Sequence, residues 1–160
     1  MPFEVRYDGA LLTEPGPSVA YTGGCLCGAI AFRIESELAP IQVCHCIQCR
    51  KAQGGPFATN IPVEASAFRL LAGAQLLKTF ESAPGKQRFF CGRCGSPVYS
   101  RRESLPSIVR VRAGLIDQPL RTQPAWHAYT ASKCNWWPID DDLPQYPEAY
   151  VPATNDASPP

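Results

Sequence analysis

The chain lacks a long apolar run. No stretch approaches the roughly 18 consecutive apolar residues of a membrane-spanning helix, so no span is expected. It lacks a strong charge of either sign: 15 lysines and arginines against 14 aspartates and glutamates leave +1. That balance argues against a nonspecific hold on nucleic acid or on an anionic membrane. The opening segment from Met1 to Asp8 carries acidic residues and no apolar stretch, so it does not read as a secretory signal, and a soluble, cytoplasmic protein is expected. Internal repeats and low-complexity blocks are missing as well. Charged residues make up only 18% of the chain against 45% hydrophobic, the balance of a globular protein rather than a disordered one. A length of 160 residues suits one domain with a real core.

Proline and cysteine, in contrast, are plentiful. Seventeen prolines disfavour long helices and suit a mainly β fold. Strand signals fall at 29–35, 40–43, 57–63, 76–82, 86–90, 97–100 and 107–113, the last with good alternation. Pro62 marks the third of these as an edge strand or as its end. Pro84 and Gly85 predict a hairpin between 76–82 and 86–90. Short helices are expected from His45 to Ala52 and from Glu64 to Leu70. The expected organisation is an N-terminal arm over 1–18, one compact domain over 19–150 and a flexible tail over 151–160.

Seven of the eight cysteines cluster as Cys25/Cys27, Cys44/Cys46/Cys49 and Cys91/Cys94. Spacing this close is poor for disulfides, which are also rare in a reducing compartment. It is good for a soft ion such as Zn²⁺, which takes thiolates tetrahedrally. Glycines flank both pairs and permit tight bends, and on an extended backbone Cys25 and Cys27 would face the same side. Pairing Cys25 and Cys27 with Cys91 and Cys94 gives a closed four-thiolate staple between distant segments. The competing reading is two unrelated pairs of buried free cysteines. The triplet has three ligands and a vacant fourth position, the pattern of a catalytic zinc site. A second structural site and a redox pair at Cys46 and Cys49 are the alternatives.

Cys134 would close the triplet's site if it were a fourth ligand; beside Trp136 and Trp137 it reads better as packed core. His45, between two ligands, should point away from the ion and pack or support a ligand. His127 reads as a half-buried, hydrogen-bonded histidine rather than a base or ligand. Arg50 and Lys51 are either solvated surface or holders of a substrate carboxylate.

Taken together, these residues resemble the glutathione-dependent formaldehyde-activating enzyme family. The stretch from Gly23 to Phe32 resembles its opening motif, Cys44 to Lys51 with Gly54 the second, and Phe90 to Pro97 with Tyr99 the third. Weaker echoes are Ala113 to Asp117, Trp126 with His127, and Ser132 with Lys133 before Trp136. The resemblance spans about residues 19–150. It implies a zinc-stapled β-domain of the β-tent type, built of several coiled β-sheets with few short helices. It implies two zinc ions, a structural one on Cys25, Cys27, Cys91 and Cys94 and a catalytic one on Cys44, Cys46 and Cys49 with an open position. The activity implied is that of a carbon–sulfur lyase or synthase, joining glutathione, or another small thiol forming such an adduct, to formaldehyde. A non-catalytic zinc-stapled module binding a protein or nucleic-acid partner is the alternative, and thiol-based metal or redox sensing is a further one; the near-neutral charge disfavours nucleic acid.

Overall fold

A computed structural model describes residues 19–150; the expected arm and tail lie outside them. The fold is mainly β, as expected. A three-stranded sheet in the order β1-β2-β5 packs on an eight-stranded sheet in the order β11-β10-β3-β4-β9-β8-β7-β6. Strands β1 (Tyr21–Gly24), β2 (Ala31–Ile34) and β5 (Phe68–Ala72) form the small sheet. The large one uses β3 (Ile41–Cys44), β4 (Ala58–Glu64), β6 (Leu77–Ala83), β7 (Lys86–Cys91), β8 (Pro97–Arg102), β9 (Leu105–Arg112), β10 (Pro124–Ala128) and β11 (Gln145–Tyr146). The one α-helix among the described residues, α1 (Ile47–Gln53), follows β3 directly. None of their helices is long and apolar enough to cross a membrane.

Alternation along the strands divides the large sheet into two faces. On one face Ile61 and Val63 of β4, Val98 of β8, and Val109 and Val111 of β9 join Phe32 and Ile34 of β2 in the main core. Fully burying each such side chain is worth about 1.5–3 kcal/mol, so this layer holds the two sheets together. Aromatic contacts extend it from Phe32 to Phe68, from Phe68 to Tyr99 and from Tyr99 to Phe89. Gly23 of β1 leaves no room for a side chain, which would strike the Leu115 carbonyl and the Phe32 ring. The opposite face carries the site.

Two expectations need correction. The helix expected over Glu64–Leu70 is a single 3₁₀ turn, Ala65–Ala67, leading into β5. Pairing of Phe68 and Leu70 with Ile34 and Phe32 of β2 overrides a weak local helical preference. Strand β4 is not an edge strand; it lies between β3 and β9. Its partner β3 pairs only as far as Asn60, while pairing with β9 continues through Pro62. One side of β4 is therefore open at Pro62, where a missing N–H is tolerated.

Candidate functional site

Strand β1 ends at Gly24 and β7 at Cys91, and each runs into a tight turn that presents sulfur. The Gly28 N–H donates to the Cys25 carbonyl at 2.9 Å, and the Gly95 N–H donates to the Cys91 carbonyl at 2.9 Å. Both glycines have positive φ, +72° and +79°. Cys25 and Cys27 thus meet across a turn rather than along an extended strand. Amides point at the sulfurs: Ile30 N–H lies 3.2 Å from Cys25 Sγ and Arg93 N–H 3.4 Å from Cys91 Sγ. The sulfurs of Cys25, Cys27, Cys91 and Cys94 all lie within 4.8 Å of one another. Cys25 and Cys27 are 3.5 Å apart, and Cys27 and Cys91 3.9 Å. Four thiolates at 2.3 Å in a tetrahedron would be about 3.8 Å apart, so the donor set fits a zinc ion. The Ser96 hydroxyl and amide draw the Cys94 thiol down to about 5, which favours the thiolate a metal needs.

The second group is built at a strand-to-helix junction. Cys44 is the last residue of β3, Cys46 caps the N-terminus of α1, and Cys49 sits in its first turn. Cys46 Sγ accepts the Cys49 N–H at 3.3 Å, so the cap itself gathers the sulfurs. All three lie within 4.8 Å of one another, Cys44 and Cys49 buried and Cys46 half-buried. Contacts with the Cys44 and Cys46 sulfurs lower the Cys49 thiol, and the Arg88 guanidinium adds to this against the effect of burial. Arg88 Nη1 and Nη2 stand 3.9 and 3.8 Å from Cys49 Sγ. Contacts with Cys46 and Cys49 push Cys44 up. Negative charge therefore collects on the sulfur beside the arginine. A trio of soft donors with a cation steadying one of them is chemistry that zinc can use.

The trio opens into a cavity of about 550 Å³ over the polar face of the large sheet. Register explains the lining. Arg88 pairs with Ser100 and Lys86 with Arg102 between β7 and β8; Ser100 pairs with Arg110 on β9. Asn60 of β4 lies opposite Arg112, and Gln42 of β3 opposite Asn60. Burial, with Arg110, Arg102, Arg88 and Arg112 nearby, draws Lys86 down to about 7. Burial likewise lowers Arg112 to about 10; its guanidinium donates to the Asn60 side-chain oxygen. Among the described residues, no acidic side chain lines the cavity. Tyr129, the one non-glycine described residue with positive φ (59°), lies on its wall.

Other sequence candidates fall elsewhere. Arg50 and Lys51 sit on α1 without lining the cavity; strand residues supply its charge instead. Cys134 is buried and belongs to neither sulfur group. His45 is buried and turns away from the sulfurs to meet His127, its Nε2 lying 2.8 Å from Nδ1. His127 Nε2 lies 3.1 Å from both Asp141 carboxylate oxygens. The residues that sequence reasoning passed over are Lys86, Arg88, Arg102, Arg110 and Arg112. For Lys86 with Arg88 and Arg110 with Arg112 the signal was present as cations two apart on β7 and β9, which places both members on one face.

Comparison with known proteins places these motifs. Residues 20–132 match the family model described as glutathione-dependent formaldehyde-activating enzyme. A Halomonas elongata protein provisionally named for that activity is 32% identical over 127 residues, covering 74% of this chain and 80% of its own. An Aspergillus flavus protein of the same provisional name is 26% identical over 114 residues, covering 70% of this chain; the chain spans about half of that relative, 53%. A Schizosaccharomyces pombe protein called an uncharacterized lyase is 28% identical over 79 residues, covering 49% of this chain and 56% of its own. A crystal structure of a Rhodobacter sphaeroides protein shares the fold, with a TM-score of 0.54 at 23% identity over 65% of this chain and 99% of that one.

Proposed function

The chain belongs to the glutathione-dependent formaldehyde-activating enzyme family, and from that premise we propose that it joins a small thiol such as glutathione to formaldehyde, and splits the adduct again, at Cys44, Cys46 and Cys49. Forward, a carbon–sulfur bond forms, the carbonyl double bond opens, and the thiol proton passes to the carbonyl oxygen. No oxidant or reductant is required. The observation that most supports this reading is the trio's position on a cavity of about 550 Å³, large enough for a tripeptide-sized thiol.

A zinc ion held by the trio would supply thiolate at neutral pH, where a free thiol of pKa near 8.5 is only a few per cent ionised. The chain's own residues do the rest. Arg88, against Cys49, holds negative charge at the sulfur end. Lys86 and Arg110 face the same cavity and would hold a carboxylate of the thiol substrate. The walls keep thiol and aldehyde together, so that a bimolecular addition becomes effectively unimolecular. The four-sulfur group would carry the second zinc as a staple far from the reacting atoms.

The test is exchange between free glutathione and its hydroxymethyl adduct, followed by NMR with zinc-loaded protein. The wild type should exceed the uncatalysed rate and Cys46→Ser should fall to it. A zinc-loaded wild type that adds nothing to the background would leave the binding-module reading in its place.

A further inference from the structure

The cavity holds more positive charge than glutathione can answer. Lys86, Arg88, Arg102 and Arg110 line it, and Arg112 lies directly behind on the same sheet face. Lys86, Arg88 and Arg112 are nine-tenths or more buried. Among the described residues, the ion pairs with carboxylates are those of Arg33 and Arg69 with Glu35 and of His127 with Asp141; none of these five cations has one, and of them Arg88 alone meets a thiol, Cys49. Lys86 Nζ donates to the Ser100 hydroxyl at 3.1 Å, one use of three donors. Arg110 Nη1 and Arg112 Nε are buried without a partner.

Burying like charges side by side without counterions is costly, and nothing in the strand pairing requires it. Such a cluster in a cavity marks a place where a ligand brings the missing charge. Three thiolates around a divalent ion would carry one net negative charge. Glutathione at neutral pH adds two carboxylates but also an ammonium. Several cations remain unanswered.

We propose that this basic wall is a subsite for a compact dianion, a phosphate ester or two adjacent carboxylates, carried by the thiol substrate. The inference rests on the proposed thiol–aldehyde reaction only for what lies at the other end of the ligand. Arg88 touches Cys49, and Lys86 is two residues farther along the same face of β7. The dianion therefore sits about 7 Å beyond the row nearest the sulfurs. Lys86, drawn down by burial and by Arg110, Arg102, Arg88 and Arg112, takes up a proton when the anion arrives, because the added negative charge favours its ammonium form.

Isothermal titration calorimetry of the zinc-loaded protein at fixed ionic strength tests this, with inorganic phosphate, malonate and acetate as probes. Phosphate or malonate should bind at least tenfold more tightly than acetate. Preference for phosphate identifies an ester-type ligand, and preference for malonate identifies paired carboxylates. Lys86→Met and Arg110→Gln should each weaken binding at least fivefold with zinc content unchanged. Proton uptake on malonate binding at pH 7.5, read from the dependence of the heat on buffer, should vanish in Lys86→Met. Should Arg110→Gln fail to fold, Arg102→Met, at an exposed position, takes its place. Acetate binding as tightly as both dianions, or variants that bind like the wild type, would overturn the proposal. Anion binding needs no turnover, so a wild type that exchanges glutathione yet binds neither dianion better than acetate sinks this inference alone. Intact anion binding without exchange sinks only the reaction.

Discussion

Replacing Cys27 with serine separates a metal staple from four cysteines that merely meet. Cys27 is exposed, whereas Cys25 and Cys91 are buried in the core, so Cys27→Ser opens no cavity. Without an ion, an exposed substitution of this kind changes stability by no more than about 0.5 kcal/mol. With an ion, it removes one of the four ligands on a link between segments 64 residues apart, and loss of the ion with it opens that link. Cross-linking a loop of that length removes about 4 kcal/mol of unfolded-state entropy in the chain-entropy picture, a large share of the roughly 5–15 kcal/mol that holds a domain folded. At about 2–4 °C per kcal/mol for a domain of this size, the melting temperature should fall by about 10–15 °C. Differential scanning calorimetry of the zinc-loaded proteins measures it. Chelation should bring the wild type down towards the variant while moving the variant much less. A variant melting within about 2 °C of the wild type would refute the staple.

Cys46→Ser should lose one zinc and all glutathione exchange, yet melt within about 2 °C of the wild type, because Cys46 is only half-buried at the cap of α1; calorimetry beside the NMR assay checks this. Lys86 has a folded pKa lowered to about 7 from 10.5, so between those values the unfolded chain binds the extra proton and stability rises with pH. The ligand-free protein should gain about 2 kcal/mol from pH 7 to 9 through this group. Urea titrations at the two pH values should show that gain shrinking in Lys86→Met. Gly23→Ala should destabilise by about 1–3 kcal/mol through overpacking against Leu115 and Phe32, read from the urea midpoint.

The cysteine clusters were legible because metal-ligand spacing is local. Cys44, Cys46 and Cys49 meet within one strand-to-helix junction, and each pair of the four-sulfur group is formed by its own turn. The hairpin of β6 and β7 and the alternation of β9 were readable for the same reason. Strand β10 was not, since its identity comes from parallel pairing with β3, some eighty residues earlier. The same limit hid β5, which β2 pulls out of a helical preference. Arg110 and Arg112 showed the period of a polar sheet face, but periodicity does not distinguish solvent from a cavity. Register across β7, β8 and β9 makes that distinction, bringing their cations onto one wall. The distant pairing of Cys25 and Cys27 with Cys91 and Cys94 was reachable only because soft donors in close pairs have so few other uses.

Counting zinc in freshly purified, reduced protein tests the central claim most directly. Elemental analysis of the wild type should give two ions per chain, and Cys46→Ser should keep one while still folding. One ion in both proteins, or two in both, would contradict a reactive metal at the trio.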